Sequence, residues 1–135
     1  MAVVFVIATD WQLRATVRAE LRELNIDALG MDSPDAAGRS LAANQMPDAI
    51  VLEATAEVAT NPAIEKLIRR VPTVVIASRT ESLPTFATND PSVLAPGSRL
   101  IYRPVTVGEI VKEVRAILAR TQAQEPPRDA PSRDR

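Results

Sequence analysis

The side chains that could do chemistry fall at four places, each directly after a short apolar run. They are Ala8-Thr9-Asp10, Glu53, Ala77-Ser78 and Tyr102-Arg103. Their types allow a narrow range of reactions. The 135 residues contain no Cys and no His. That excludes disulfides, thiol nucleophiles, imidazole bases and zinc sites built on Cys or His. Carboxylates such as Asp10 and Glu53 leave open a hard cation held by oxygen alone. The four glycines, Gly30, Gly38, Gly97 and Gly108, are too far apart to form a phosphate-cradling loop. The formal charge of -1 gives no basic field for nucleic acid.

The elements that must position these residues can be read from apolar spacing. Val3 to Ala8 is a continuous β-rich run, the pattern of a strand buried on both faces. Asp10 is placed to cap a helix in which Leu13, Val17, Leu21 and Leu24 recur at helical spacing. Asn25 ends it, and Ile26 to Met31 is a weaker strand. Ser33-Pro34-Asp35 starts an Ala-rich helix that runs to about residue 44. Ala49 to Leu52 is a third strand ending at Glu53. Residues 54–61 read as a loop. Pro62 opens a helix with Ile64, Leu67 and Ile68 inward and Arg69-Arg70 at its cation-favouring end. Thr73 to Ala77 is a fourth strand and Leu100 to Tyr102 a brief fifth. Pro84, Pro91 and Pro96 leave room for only a short or broken helix between those two. Thr106-Val107-Gly108-Glu109 fits a capping box for the last helix, lined by Ile110, Val114, Ile117 and Leu118.

Strands alternating with helices imply right-handed crossovers and a parallel sheet covered on both faces. Five strands of this kind suit the flavodoxin-like order 2-1-3-4-5, whose functional crevice lies at the carboxyl ends of strands 1 and 3. Those ends are Ala8-Thr9-Asp10 and Glu53. The composition predicts one α/β domain over residues 1–121 and a disordered Pro-rich tail over 122–135. No apolar stretch is long enough for a membrane span, and no basic segment precedes the first apolar run. A cytoplasmic protein is expected.

Four segments in register resemble the receiver domain of two-component response regulators, over roughly residues 2–120. Val6 to Arg14 sits where that family has a hydrophobic strand, two acids and a helix ending its first turn in Arg. Met46 to Glu53 resembles the segment ending in the phosphoacceptor Asp. Val71 to Arg79 resembles the fourth strand with its terminal Thr or Ser. Tyr102-Arg103-Pro104-Val105 resembles the Lys-Pro pair after strand five.

The resemblance also shows where the family's chemistry would be missing. The acidic pair that holds Mg²⁺ falls on Ala8 and Thr9, with Asp10 one position late. The phosphoacceptor falls on Glu53, the hydroxyl position on Ala77 with Ser78 one later, the Lys on Arg103 and the aromatic switch on Leu100. The fourth helix, between strands four and five, is expected short or missing. Mg²⁺ takes octahedral oxygen ligands at about 2.0–2.1 Å. Ala8 offers no side-chain ligand and Thr9 only a neutral hydroxyl. Glu53 is one methylene longer than Asp, and a misplacement of about 1 Å can cost roughly a hundredfold in rate. A one-residue shift at Asp10 and Ser78 would restore two groups. Neighbouring strand residues point to opposite faces, however, so that rescue is not expected. The resemblance therefore implies a degenerate receiver whose Mg²⁺ site is lost, with no cofactor and no enzymatic activity.

Glu53 could stand in for a permanently charged acceptor or be an ordinary exposed carboxylate. Arg103 could reach Glu53 or stay solvated. Trp11 could anchor a partner or cover the first turn of its helix, with packing favoured; Leu100 and Tyr102 are further candidate interaction residues. Arg14, Arg18 and Arg22 share one helix face, which is expected to be solvated. The implied function is phosphorylation-independent binding to another signalling protein or to itself, without nucleic acid or membrane. After residue 121 nothing is long enough for a helix-turn-helix, so output by contact with another chain is expected. The alternatives are a phosphoacceptor with unusual chemistry and a small-ligand binder using the same crevice.

Overall fold

The apolar runs form the sheet that their spacing predicts. The computed structural model describes residues 1–42, 46–55, 58, 61–78 and 94–124. Its strands are β1 (Val3–Ile7), β2 (Asp27–Met31), β3 (Ala49–Glu53), β4 (Thr73–Ala77) and β5 (Arg99–Tyr102). They pair in parallel in the order β2-β1-β3-β4-β5. Four helices occur among the described residues: α1 (Trp11–Glu23), α2 (Pro34–Ala42), α3 (Pro62–Arg70) and α4 (Val107–Gln124).

Side-chain alternation divides the core between the two sheet faces. Val4, Val6, Val51, Val74 and Ile76 pack against α1 and α4. Phe5, Ile7, Ile50 and Leu52 pack against Met31, Ala37, Ile64, Leu67 and Ile68 on the other side. β1, β3 and β4 are buried on both faces, which explains their lack of polar alternation. β5 is a more exposed edge strand and carries a weaker signal.

Local chemistry fixes the helix ends. Asp10 caps α1, its Oδ1 accepting from the backbone N–H of Gln12 at 3.0 Å and of Leu13 at 3.2 Å. Asn25 terminates the same helix with a left-handed φ of 62°, the conformation that Asn tolerates best after Gly. Ser33 Oγ accepts from the Ala36 N–H at 3.3 Å. Asn61 caps α3 through the N–H groups of Ala63 and Ile64. Thr106 supplies half of the expected capping box, accepting from the Glu109 N–H at 3.1 Å. Ahead of β5, a turn is closed by the Ser98 N–H on the Ala95 carbonyl, with Gly97 at a φ of 90°.

The arginine face of α1 is not simply solvated. Arg18 Nε and Arg22 Nη2 approach the Ala28 carbonyl at 3.3 and 3.4 Å. Ala28 lies on edge strand β2, and the pairing of Asp27 with β1 turns the Ala28 carbonyl outward. The two guanidiniums thus cover part of an exposed edge that would otherwise accept another strand. Gly30 permits this, because a Cβ there would lie 2.6 Å from Arg18 Cδ.

Two expectations concern segment limits. The last helix continues to Gln124, so the boundary drawn at residue 121 falls three residues short. The rest of the expected tail, 125–135, lies outside the described residues, as does 79–93, where a short or missing helix is expected. No helix among the described residues is long and apolar enough to cross a membrane.

Candidate functional site

Parallel pairing brings the carboxyl ends of the strands to one edge, and the ladder extends past them. The Ala8 N–H donates to the Met31 carbonyl at 3.0 Å, the Ala54 N–H to Ile76 at 2.8 Å and the Arg103 N–H to Ala77 at 2.8 Å. These bonds fix where the following loops depart. They place Ala8-Thr9-Asp10, Glu53, Ala77-Ser78 and Arg103 along one rim.

Glu53 is the centre of this rim. Its Oε1 accepts from the Thr9 N–H at 2.9 Å, the Thr9 hydroxyl at 2.9 Å and the Asp10 N–H at 3.3 Å. Its Oε2 accepts from Arg103 Nη2 at 2.6 Å. One carboxylate therefore ties three segments that are distant in sequence: the β1–α1 loop, the end of β3 and the residue after β5. The Glu53 side chain is 13% exposed and that of Arg103 is 39% exposed. Glu53 is consequently not an ordinary exposed carboxylate. The extra methylene that takes Glu out of the geometry expected of an Asp acceptor also lets it reach the loop amides.

Of the two readings of Arg103, the contact with Glu53 is the one that forms. A two-pronged grip, which the guanidinium's shape allows, does not. The second carboxylate oxygen is already taken by Thr9 and Asp10, so Arg103 binds through one nitrogen. The Arg103–Pro104 peptide is cis. Arg14, expected to be solvated, is instead a positioning residue: its Nη1 donates to the Ala8 carbonyl at 2.6 Å. Its place four residues after the cap Asp10 is the signal that could have identified it, since that spacing returns a helix side chain to the entering strand.

The donor set does not fit a Mg²⁺ ion. Ala8 is 3% exposed and has no side-chain ligand atom, and its carbonyl already accepts from Arg14. The Thr9 hydroxyl hydrogen is directed to Glu53, and Asp10 uses Oδ1 to cap α1. Glu53 has donors on both oxygens. No group of three metal-binding side chains occurs among the described residues. Ala77 is 2% exposed and contributes only its backbone here. Ser78 is half-buried beside it.

The remaining candidates separate clearly. Trp11 is 69% exposed, which overturns the expectation that it packs over the first turn of its helix. It is the first residue of α1, directly after the Asp10 cap. Tyr102 is 37% exposed and Leu100 half-buried, both on β5.

No protein-family model matches the sequence, and no curated protein matches it. Solved structures do match. The chain is similar to the receiver domain of a Francisella response regulator, with a TM-score of 0.68 at 15% identity over 90% of this chain and 99% of that one. It is similar to a response regulator receiver protein from Burkholderia phymatum, with a TM-score of 0.64 at 20% identity over 88% and 96%. It is also similar to the N-terminal domain of a response regulator/sensory box/GGDEF protein from Carboxydothermus hydrogenoformans. There the TM-score is 0.67 at 19% identity over 90% and 97%. The chain has the fold of response-regulator receiver domains.

Proposed function

We propose that this chain is a receiver-like signalling module that acts by protein–protein contact without being phosphorylated. One observation carries the reading: both oxygens of Glu53, the residue at the acceptor position, are held by the chain's own donors. Phosphoryl transfer to a carboxylate needs a free oxygen in line with the donor and a cation to offset the charge. Here Thr9, Asp10 and Arg103 satisfy the charge of Glu53 in advance. In this reading the Mg²⁺ site is lost, the chain catalyses no reaction and it works in the cytoplasm. Its output is contact with another signalling protein or with a second copy, and neither nucleic acid nor membrane is a partner. The exposed Trp11 beside the rim suits a contact residue.

Incubation with acetyl phosphate and Mg²⁺, followed by intact-mass measurement, tests the proposal. Unmodified protein is the expected result. Stoichiometric phosphate that is lost on Glu53→Gln would overturn it and establish the alternative of a phosphoacceptor with unusual chemistry.

A further inference from the structure

A groove of ≈ 700 Å³ runs along α4 beside the C-terminal end of α1. Its lining includes Ile26, Val111 and Leu118, with Leu24 at its α1 end and Lys112 and Arg115 on α4. Leu24 is 40% exposed. Lys112 and Arg115 are exposed, and no ion pair joins either to the described residues. The facing flank of α1 has the opposite sign. Arg14 and Arg18 turn toward Gly30 on β2, and Arg22 follows at the same spacing. Helical spacing then puts Glu20 and Glu23 on the other flank, toward α4, against which α1 packs. Both acids are exposed and make no ion pair with the described residues.

We infer that this face is where two copies of the chain associate, α1 of each lying on α4 of the other. The inference rests on the reading of the chain as an interaction module and names its surface and its partner. An acidic partner would satisfy Lys112 and Arg115 but be repelled by Glu20 and Glu23; a basic partner would meet the reverse problem. A second copy carries both signs at matching spacing. In a two-fold contact residue i meets j and j meets i, so each acid pair can face a basic pair. The charges also select the axis. A two-fold along the helices lays α1 on α4, whereas one across them would set Glu20 and Glu23 against themselves. The half-exposed Leu24 is then covered near the centre of the contact.

Sedimentation of the full chain over a concentration series, at low and high salt, tests this. The wild type should dimerise, and added salt should weaken the dimer because exposed charges are screened. Glu20→Lys with Glu23→Lys should weaken it at least about tenfold, as should Lys112→Glu with Arg115→Glu. Unchanged circular dichroism shows that each variant folds. An equimolar mixture of the two variants should recover the dimer, because each flank again meets its opposite. A wild type that stays monomeric at every concentration overturns the inference, as do variants that dimerise like the wild type or a mixture that stays monomeric. The proposal on phosphorylation is judged separately, by the acetyl phosphate experiment.

Discussion

Glu53→Ala should lower the unfolding free energy by about 1.5–3 kcal/mol and loosen three segments at once. The carboxylate receives two backbone N–H groups, one hydroxyl and one guanidinium. A hydrogen bond to a charged group contributes about 1.5–3 kcal/mol where water is excluded. Here the donors are partly wet: Thr9 and Asp10 are exposed and Arg103 is 39% exposed. Water takes over much of their hydrogen bonding once Glu53 is gone. The four contacts together are therefore expected to contribute about as much as one such buried bond. Glu53→Gln should cost less, because the amide oxygen can still accept from Thr9 while the charge opposite Arg103 is lost. A double-mutant cycle of Glu53→Gln with Arg103→Gln should give a coupling of about 0.2–1 kcal/mol, the range of a partly exposed ion pair. Equilibrium urea unfolding measures both. Hydrogen exchange on Glu53→Ala should rise at Thr9, Asp10 and Arg103 together; faster exchange at Thr9 and Asp10 alone would show that Arg103 is not tied to them.

Phe5→Ala should have a larger effect, about 3–5 kcal/mol, the usual loss for a large aromatic removed from a core. Phe5 has no exposed surface and packs with Ile50, Ile64 and Ile68 between β1 and the α2–α3 layer. Small domains have about 5–15 kcal/mol in total, so this variant should show a greatly lowered urea midpoint or be unfolded at the outset. Because β1 delivers Thr9 to Glu53, near-native variants of Phe5 such as Phe5→Leu should also weaken protection at Thr9. Trp11→Ala, at an exposed position, should change stability by no more than about 0.5 kcal/mol. A loss comparable to that of Phe5→Ala would mean that Trp11 belongs to the core.

How much of this was readable from the sequence depended on how local each cause is. The apolar runs of β1, β3 and β4, the Asp10 cap and the Asn25 stop act within a few residues, and each takes the structural role its residue type predicts. Strand order followed from the alternation of elements, and it brought Glu53 and Arg103 to one edge. What was not readable is how loop backbone is aimed. That Glu53 also collects the amides of Thr9 and Asp10 depends on a turn whose shape no pattern encodes. The same limit applies to Arg18 and Arg22. Their spacing marks a face, but the Ala28 carbonyl they reach lies on β2, which pairing with β1 places. The size of Trp11 favours burial, whereas its position at the helix start leaves it facing outward.

Thr9, Asp10 and Arg103 satisfy Glu53, and on the proposed reading they leave no place for Mg²⁺ and a phosphoryl group. An amide NMR titration of the full chain with Mg²⁺, first alone and then with beryllofluoride as the phosphoryl mimic, tests it most directly. No saturable shifts are expected at residues 8–10, 53 and 77–78, and no change in the Arg103 side-chain resonance. Saturable shifts converging on those residues at sub-millimolar Mg²⁺, with release of Arg103 from Glu53, would contradict it.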